Sequence, residues 1–269
     1  MIARVALLTS ALLTITFASN AWGLPAYSRL YQAKYGYQTS CALCHTAGGG
    51  SSTTPYGRDF LRAGANSQAF VRIEGKDSDQ DGISNLDEIK AKSNPGDAKS
   101  IPGQTGDWLS QATLVALPEK ELKRLFPTAD ALSSLDGTLK SDQVTSVEGR
   151  LGVPLTDDDK VPTFYFASKG GKKFGVAQFI SANSPAGLIS IAVALDTNAV
   201  VTAVHILKNP GNKAIESSEF LKQFIGKTQA DKISMGEDIQ ATKGGEGNSK
   251  ELALAVKKAI LTMNIVFKR

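Results

Sequence analysis

Cysteine is nearly absent from this chain: 269 residues carry two, Cys41 and Cys44. That excludes a disulfide framework, because one pair can only act locally. Histidine is as scarce, with His45 and His205 alone, and beyond Met1 the methionines are Met235 and Met263. A zinc site of four Cys/His ligands is therefore poorly supplied. The net charge of +4 comes without a dense Lys/Arg stripe, which argues against nucleic acid as a partner. Apart from the N-terminal stretch, no run is apolar enough to span a bilayer, so no membrane span is expected in the mature chain. No nucleophile or general acid–base constellation points to a hydrolase or a transferase.

The N-terminal stretch is the one long hydrophobic run. Arg4 precedes an apolar segment from Val5 to Ala18, and small residues at Ser19, Ala21 and Gly23 offer cleavage sites. Residues 1–23 are expected to be a signal peptide, exporting the protein to the periplasm.

The rare residues are not scattered. TSCALCHTAGG, at 39–49, places both cysteines two residues apart with His45 next in line. C-x-x-C-H is the attachment signature of c-type haem. Each thiol adds across one haem vinyl group, and the histidine lies under the iron. A thioredoxin-like dithiol would need a βαβ setting, and none precedes Cys41. A plain disulfide would leave His45 without a role. Cys41 and Cys44 are thus the expected covalent anchors and His45 the axial ligand. The segment resembles a monohaem c-type cytochrome domain, which implies a small all-α fold built around its cofactor.

Such cytochromes use a downstream Met or His as second axial ligand. Residues 46–106 contain neither. Met235, in a polar loop, and His205, in a strand where it is expected to share a face with Val201, Ala203 and Leu207, are the candidates from elsewhere; Met263 reads as core. The alternatives are a five-coordinate iron, or a Tyr, Lys or Asn ligand.

DSDQDGISNLDE, at 77–88, fits the calcium-loop template D-x-[DN]-x-[DN]-G-x5-E. Asp77, Asp79 and Asp81 supply carboxylates, Ile83 a backbone carbonyl, Asn85 the ninth position and Glu88 a bidentate carboxylate. A helix follows the loop; none is clear before it. Together with the Asn-Pro-Gly-Asp ending the stretch resembles a calcium loop of the thrombospondin type 3 repeat, which implies a structural calcium pinning the end of the haem domain to the linker.

Domain limits follow from composition. Short helices are expected at 25–36, 57–63 (reaching towards 71) and 85–92. SNPGDAKSIPGQTG, at 93–106, reads as a linker. Beyond it two helices are expected, one opened by Pro118 and stopped by Pro127, the next capped by Ser141 and ended by Gly152. TFYFA (163–167), FGVAQFI (174–180), LISIAVAL (188–195) and VVTAVHIL (200–207) read as strands joined by short turns, hence antiparallel neighbours. Two helices close the chain. The fold class is multidomain: a haem domain with its calcium loop at 24–92 and an α+β domain with an antiparallel sheet at 107–269.

FLKQFIGK, at 220–227, with Pro210-Gly211 and a terminal helix after a glycine-rich loop, resembles the FMN-binding domain of Rnf and Nqr electron-transport subunits. The resemblance implies a flavin phosphate loop at Thr242, Gly244, Gly245, Asn248 and Ser249. In that family a hydroxyl just before the last helix can carry the flavin phosphate. Asn248 stands at that place and has no hydroxyl; Ser249 is one position away, and Thr242 fits another register. The combined expectation is an exported cytochrome, more an electron carrier or redox subunit than a stand-alone enzyme, passing electrons between haem c and FMN or a redox partner protein or membrane electron-transport complex. The alternatives are a haem-based sensor of a gas or small ligand and a redox enzyme acting at an open haem.

Overall fold

The computed structural model describes residues 25–46, 53–111 and 117–267. The expected signal peptide at 1–23 lies outside the described residues. The first unit packs four short helices, α1 (Pro25–Tyr35), α2 (Pro55–Arg62), α3 (Ser67–Ile73) and α4 (Asn85–Ala91). Their starts are written locally: Thr54, Asn66 and Ser84 each accept a backbone N–H of the first helical turn. Their apolar faces meet in one cluster of Tyr31, Leu43, Tyr56, Phe60, Phe70, Ile73 and Ile89. Aromatic rings dominate it, with Phe60 stacked on Phe70 at 4.6 Å between centroids and Tyr31 edge-on to Tyr37 at 5.4 Å.

The second unit is a five-stranded antiparallel sheet in the order β1-β2-β3-β4-β5. Its strands are β1 (Ala131–Asp136), β2 (Thr163–Lys169), β3 (Lys172–Ser184), β4 (Gly187–Asp196) and β5 (Val201–Lys208). Helices cover both faces. The long α8 (Glu246–Phe267) lays Leu252, Val256, Ala259, Ile260 and Met263 on Ile180, Ile191, Val193 and Val204. On the other face α5 (Glu119–Leu125) sets Leu122, Leu125 and the following Phe126 against Tyr165, Ala177, Ala192 and Ala194. Gly175 lets that ring lie flat on β3, since a Cβ there would fall 2.4 Å from Phe126. α6 (Ser141–Leu151) packs on α8, and the short α7 (Ser218–Lys222) buries Phe220. The α+β expectation therefore holds, with both helices and an antiparallel sheet present.

Three details differ from the sequence reading. β1 was not expected; its side chains are mostly exposed, and main-chain pairing to β2 holds it. Ser141 sits inside α6, and the cap position falls to Lys140, whose N–H donates to Gln143 at 2.9 Å. Residues 93–96, expected within a linker, are buried against the first unit. Their small and polar side chains bond to backbone there, which is why they look like loop composition.

The two units touch through α1. Arg29 donates to Asp136 and to the Val161 carbonyl, and reaches Thr163 Oγ1 at 3.0 Å. Ser67 at the start of α3 bonds Asp157. Among the described residues no helix is long and apolar enough to cross a membrane.

Candidate functional site

The CALCH segment forms a single helical turn. Ser40 caps it by accepting from Ala42 N at 3.2 Å, and the Cys41 carbonyl accepts from Cys44 N at 3.2 Å and His45 N at 2.9 Å. Cys41, Cys44 and His45 thus stand at i, i+3 and i+4, the spacing that shares one face of a helical turn. Both cysteines are free thiols, Cys41 exposed and Cys44 packed against the aromatic cluster. Burial, then the nearby Cys41, pushes the Cys44 thiol up to about 12. His45 is buried and pairs as an isolated bridge with Thr53.

Every carbonyl of this turn up to Cys44 has a partner. Asn94 Nδ2 donates to Ala42 O at 3.2 Å, Thr54 Oγ1 to Leu43 O at 2.7 Å and Thr54 N to Cys44 O at 2.9 Å. Two glycines make room for that grip. A Cβ at Gly57 would lie 2.4 Å from Cys44 O, and one at Gly96 would lie 2.8 Å from Thr54 Oγ1 and 2.9 Å from Leu43 O. Sequence reasoning missed Thr54, Gly57, Asn94 and Gly96. A Thr-Pro pair at 54–55 was a readable helix start, but nothing local links it to Leu43.

The phenols beside the turn are almost all engaged. Tyr27 donates to Ala65 O at 2.8 Å, Tyr35 to Glu74 Oε1 at 3.0 Å and Tyr37 to Ile89 O at 3.0 Å. Tyr37 has given up its only proton, so in the 2.6 Å contact with Tyr31 the donor is Tyr31. Tyr56 is the exception: its side chain is fully buried and its Oη has no hydrogen-bond partner. A buried hydroxyl left unpaired costs about 1–3 kcal/mol. A bound group bringing a polar atom would remove that cost. Two thiols and an imidazole on one turn, an aromatic wall and one orphaned phenol fit a covalently held haem. Among the described residues no cluster of metal-ligating side chains includes Cys41, Cys44 or His45, so a zinc reading finds no further ligands.

The acidic loop lies between α3 and α4. α3 ends four residues before Asp77, so a helix does precede the loop, contrary to the sequence reading. Ligand atoms of Asp77, Asp79 and Asp81 all lie within 4.8 Å of one another. Asp77 shapes the loop, accepting from Gln80 N at 2.7 Å and Gly82 N at 2.9 Å, and Gly82 takes the left-handed φ of 93° that the bend needs. The remaining oxygens are orphaned. Both oxygens of Asp79, one of Asp81 and both of Glu88 are buried without partners, and Glu88 is 0% exposed. Burial, and next the facing carboxylates, pushes Asp79 up to about 6 and Glu88 up to about 8. These carboxylates repel one another across a space that a divalent cation would neutralise. Asn85 behaves as a buckle: its amide donates to Ile73 O at 2.6 Å and Ser78 Oγ at 2.9 Å, while its oxygen accepts from Ser78 N at 3.2 Å. Ile83 N is held by Asp81 at 2.8 Å.

The other expected site residues lie in the second unit. His205 faces the α5 side of the sheet with Ala203 and Leu207, and burial followed by the Arg124 charge lowers its pKa. Val201 is not its neighbour on that face, because a register shift between Ala194 and Leu195 turns it to the α8 side. Met235 packs against the α8-face core. Neither belongs to the cluster that holds Cys44. The glycine-rich loop satisfies itself. Thr242 and Ser249 hydroxyls bond each other at 3.1 Å, Gly244 N donates to Glu246 Oε1 at 3.0 Å and Gly245 N to Thr242 O at 3.0 Å. Asn248 is buried over Gly211, where a Cβ would lie 2.2 Å from its Nδ2. The Glu246 carboxylate thus takes up the Gly244 N–H that the expected phosphate would need.

No protein-family model matches the chain, and no curated protein does either.

Proposed function

We propose that this chain is an exported c-type cytochrome that carries electrons to or from a redox partner in the periplasm. Cys41 and Cys44 would hold the haem through thioethers, and His45 would ligate the iron. The observation that carries the reading is the turn itself: two free thiols and an imidazole on one helical turn, its carbonyls gripped from Thr54 and Asn94. The bound haem would supply an iron centre that takes up and releases one electron. The aromatic cluster excludes water from the Cys44 side, and the Tyr56 hydroxyl is free to bond a polar atom there. Calcium in the 77–88 loop would complete the unit, held by Asp79, Asp81 and Glu88 around an Asp77-shaped bend. No step is assigned to a flavin, and the second unit is read as the docking module for the partner.

A second reading, a haem that binds a gas or small ligand, is favoured by one observation. The two candidate distal ligands, Met235 and His205, pack in clusters other than that of Cys44, beside which Tyr56 keeps a free hydroxyl. Intact mass of the denatured mature chain tests both readings at their root: chain plus one haem supports them, and a bare chain removes them. The spectrum then separates them. A six-coordinate low-spin haem supports electron transfer, and a high-spin haem that shifts with carbon monoxide supports ligand binding.

A further inference from the structure

Helix α4 has the acidic loop at one end and the CALCH turn at the other. Glu88, in its first turn, offers its two orphaned side-chain oxygens to the loop. The main-chain carbonyl of the same residue accepts from Ser93 N at 3.0 Å and Ser93 Oγ at 3.3 Å. The next residue, Asn94, is the donor to Ala42 O inside the turn. Its side chain is fixed from both sides, since its Oδ1 accepts from Gly96 N at 3.1 Å, and its own N–H is held by Ser100 Oγ at 2.9 Å. Gly96 then sits against Leu43 O and Thr54. A second branch runs from Ile89 O through the Tyr37 and Tyr31 hydroxyls into the aromatic cluster beside Cys44.

We infer that Asn94 and Gly96 are positioning residues for the haem-attachment turn, and that they are rooted in the cation site through Glu88, so that calcium in the acidic loop sets the geometry in which haem is attached and held. The inference rests on the haem reading above. Attachment adds each S–H across a haem vinyl group: sulfur bonds one carbon, the proton ends on the other, and nothing is oxidised. That addition needs both sulfurs held on one face. Without a cation, the buried side-chain oxygens of Asp79, Asp81 and Glu88 are left without partners, and the first turn of α4 is where they can give way. Ser93 then loses the fixed Glu88 carbonyl, and Asn94, the next residue, loses the anchored neighbour from which it reaches the turn. Coupling of this kind is a free energy shared between two sites and must be visible from either one.

The test uses the full chain matured with haem-attachment machinery. Intact mass gives the haem-bearing fraction for wild type, Glu88→Gln and Asn94→Ala; both variants should fall several-fold. Haem-loaded wild type and Asn94→Ala are then taken through chelator and added calcium, following Soret circular dichroism and reduction potential. Wild type should respond reversibly. Asn94→Ala should still bind calcium yet lose the haem response, which a merely structural loss of stability would not produce. Full haem loading of both variants, or a wild-type haem signal unmoved by calcium, or an Asn94→Ala signal that responds like wild type, overturns the inference. If Glu88→Gln fails to accumulate, the calcium response of wild type against Asn94→Ala still decides. A bare wild-type chain would overturn the haem reading, and this inference with it.

Discussion

Replacing Glu88 by glutamine should stabilise the protein in a chelator and destabilise it, relative to wild type, in calcium. Burial and then the facing aspartates push the Glu88 carboxyl from an ordinary 4.5 to about 8. At pH 7 the carboxyl is ionised in the unfolded chain and protonated in the metal-free fold, so folding takes up a proton. Because the folded value is the higher one, stability is intact below pH 4.5 and falls as pH rises towards 8. At ~1.4 kcal/mol per pH unit, the interval up to pH 7 costs ~3 kcal/mol. Glutamine has no proton to take up, so metal-free Glu88→Gln should gain about 1–3 kcal/mol, less whatever its own unpaired amide costs. Calcium reverses the order. Wild type gains ~2.7 kcal/mol at a hundredfold excess over the dissociation constant, and the variant, lacking the bidentate carboxylate, gains little. Urea unfolding followed by far-ultraviolet circular dichroism, in EDTA and in calcium, reads both signs. Repeating the chelated pair at pH 5 should shrink the difference below ~1 kcal/mol. A variant equally less stable in both media would refute the reasoning, because Glu88 would then be holding a protein group and no cation.

Other outcomes follow from single contacts. Gly57→Ala drives a Cβ to 2.4 Å from Cys44 O, so a loss of about 1–3 kcal/mol in urea unfolding and a lower haem-bearing fraction are expected. Tyr56→Phe removes an unpartnered hydroxyl; the haem-free chain should be unchanged or about 1 kcal/mol more stable, while the absorption spectrum of the loaded protein shifts, and an unshifted spectrum would exclude Tyr56 from the haem's polar contacts. Lys258→Met strands the buried Asp159 carboxylate that now lies 2.6 Å from its ammonium, costing ~3 kcal/mol in urea unfolding, and Lys258→Met with Asp159→Leu should recover most of it.

The sheet was legible where strands carry their own signal. β2 to β5 bury alternating or continuous apolar residues, and short polar turns separate them. β1, with the sequence ALSSLD, buries almost nothing, so only its main-chain pairing with β2 defines it. The face of Val201 depended on a register shift that no period-two count can place. The acidic loop was readable because its ligands are local in sequence. The buckle made by Asn85 depends on the Ile73 carbonyl outside the loop, and the isolation of the Tyr56 hydroxyl on the absence of any partner. Residues 93–96 misled for a physical reason: small polar residues suit a mobile connection and also a buried segment that bonds backbone through its side chains.

The sheet order also bears on how the chain is assembled. Each strand neighbours only the strand before and after it, and short turns join β2 to β5, so these four strands can close hairpin by hairpin without waiting for distant segments. α8 follows all five strands in the chain and seals the Ile180 and Ile191 face. Arg29, by contrast, lies early in the chain and has to wait for Asp136 and Val161 before α1 can dock. Until then α1 is not yet held against the sheet, and the neighbouring CALCH turn belongs to a unit that is still undocked. Were haem attached as proposed, vectorial emergence would give an interval for its loading, which the late clasp at Arg29 would end.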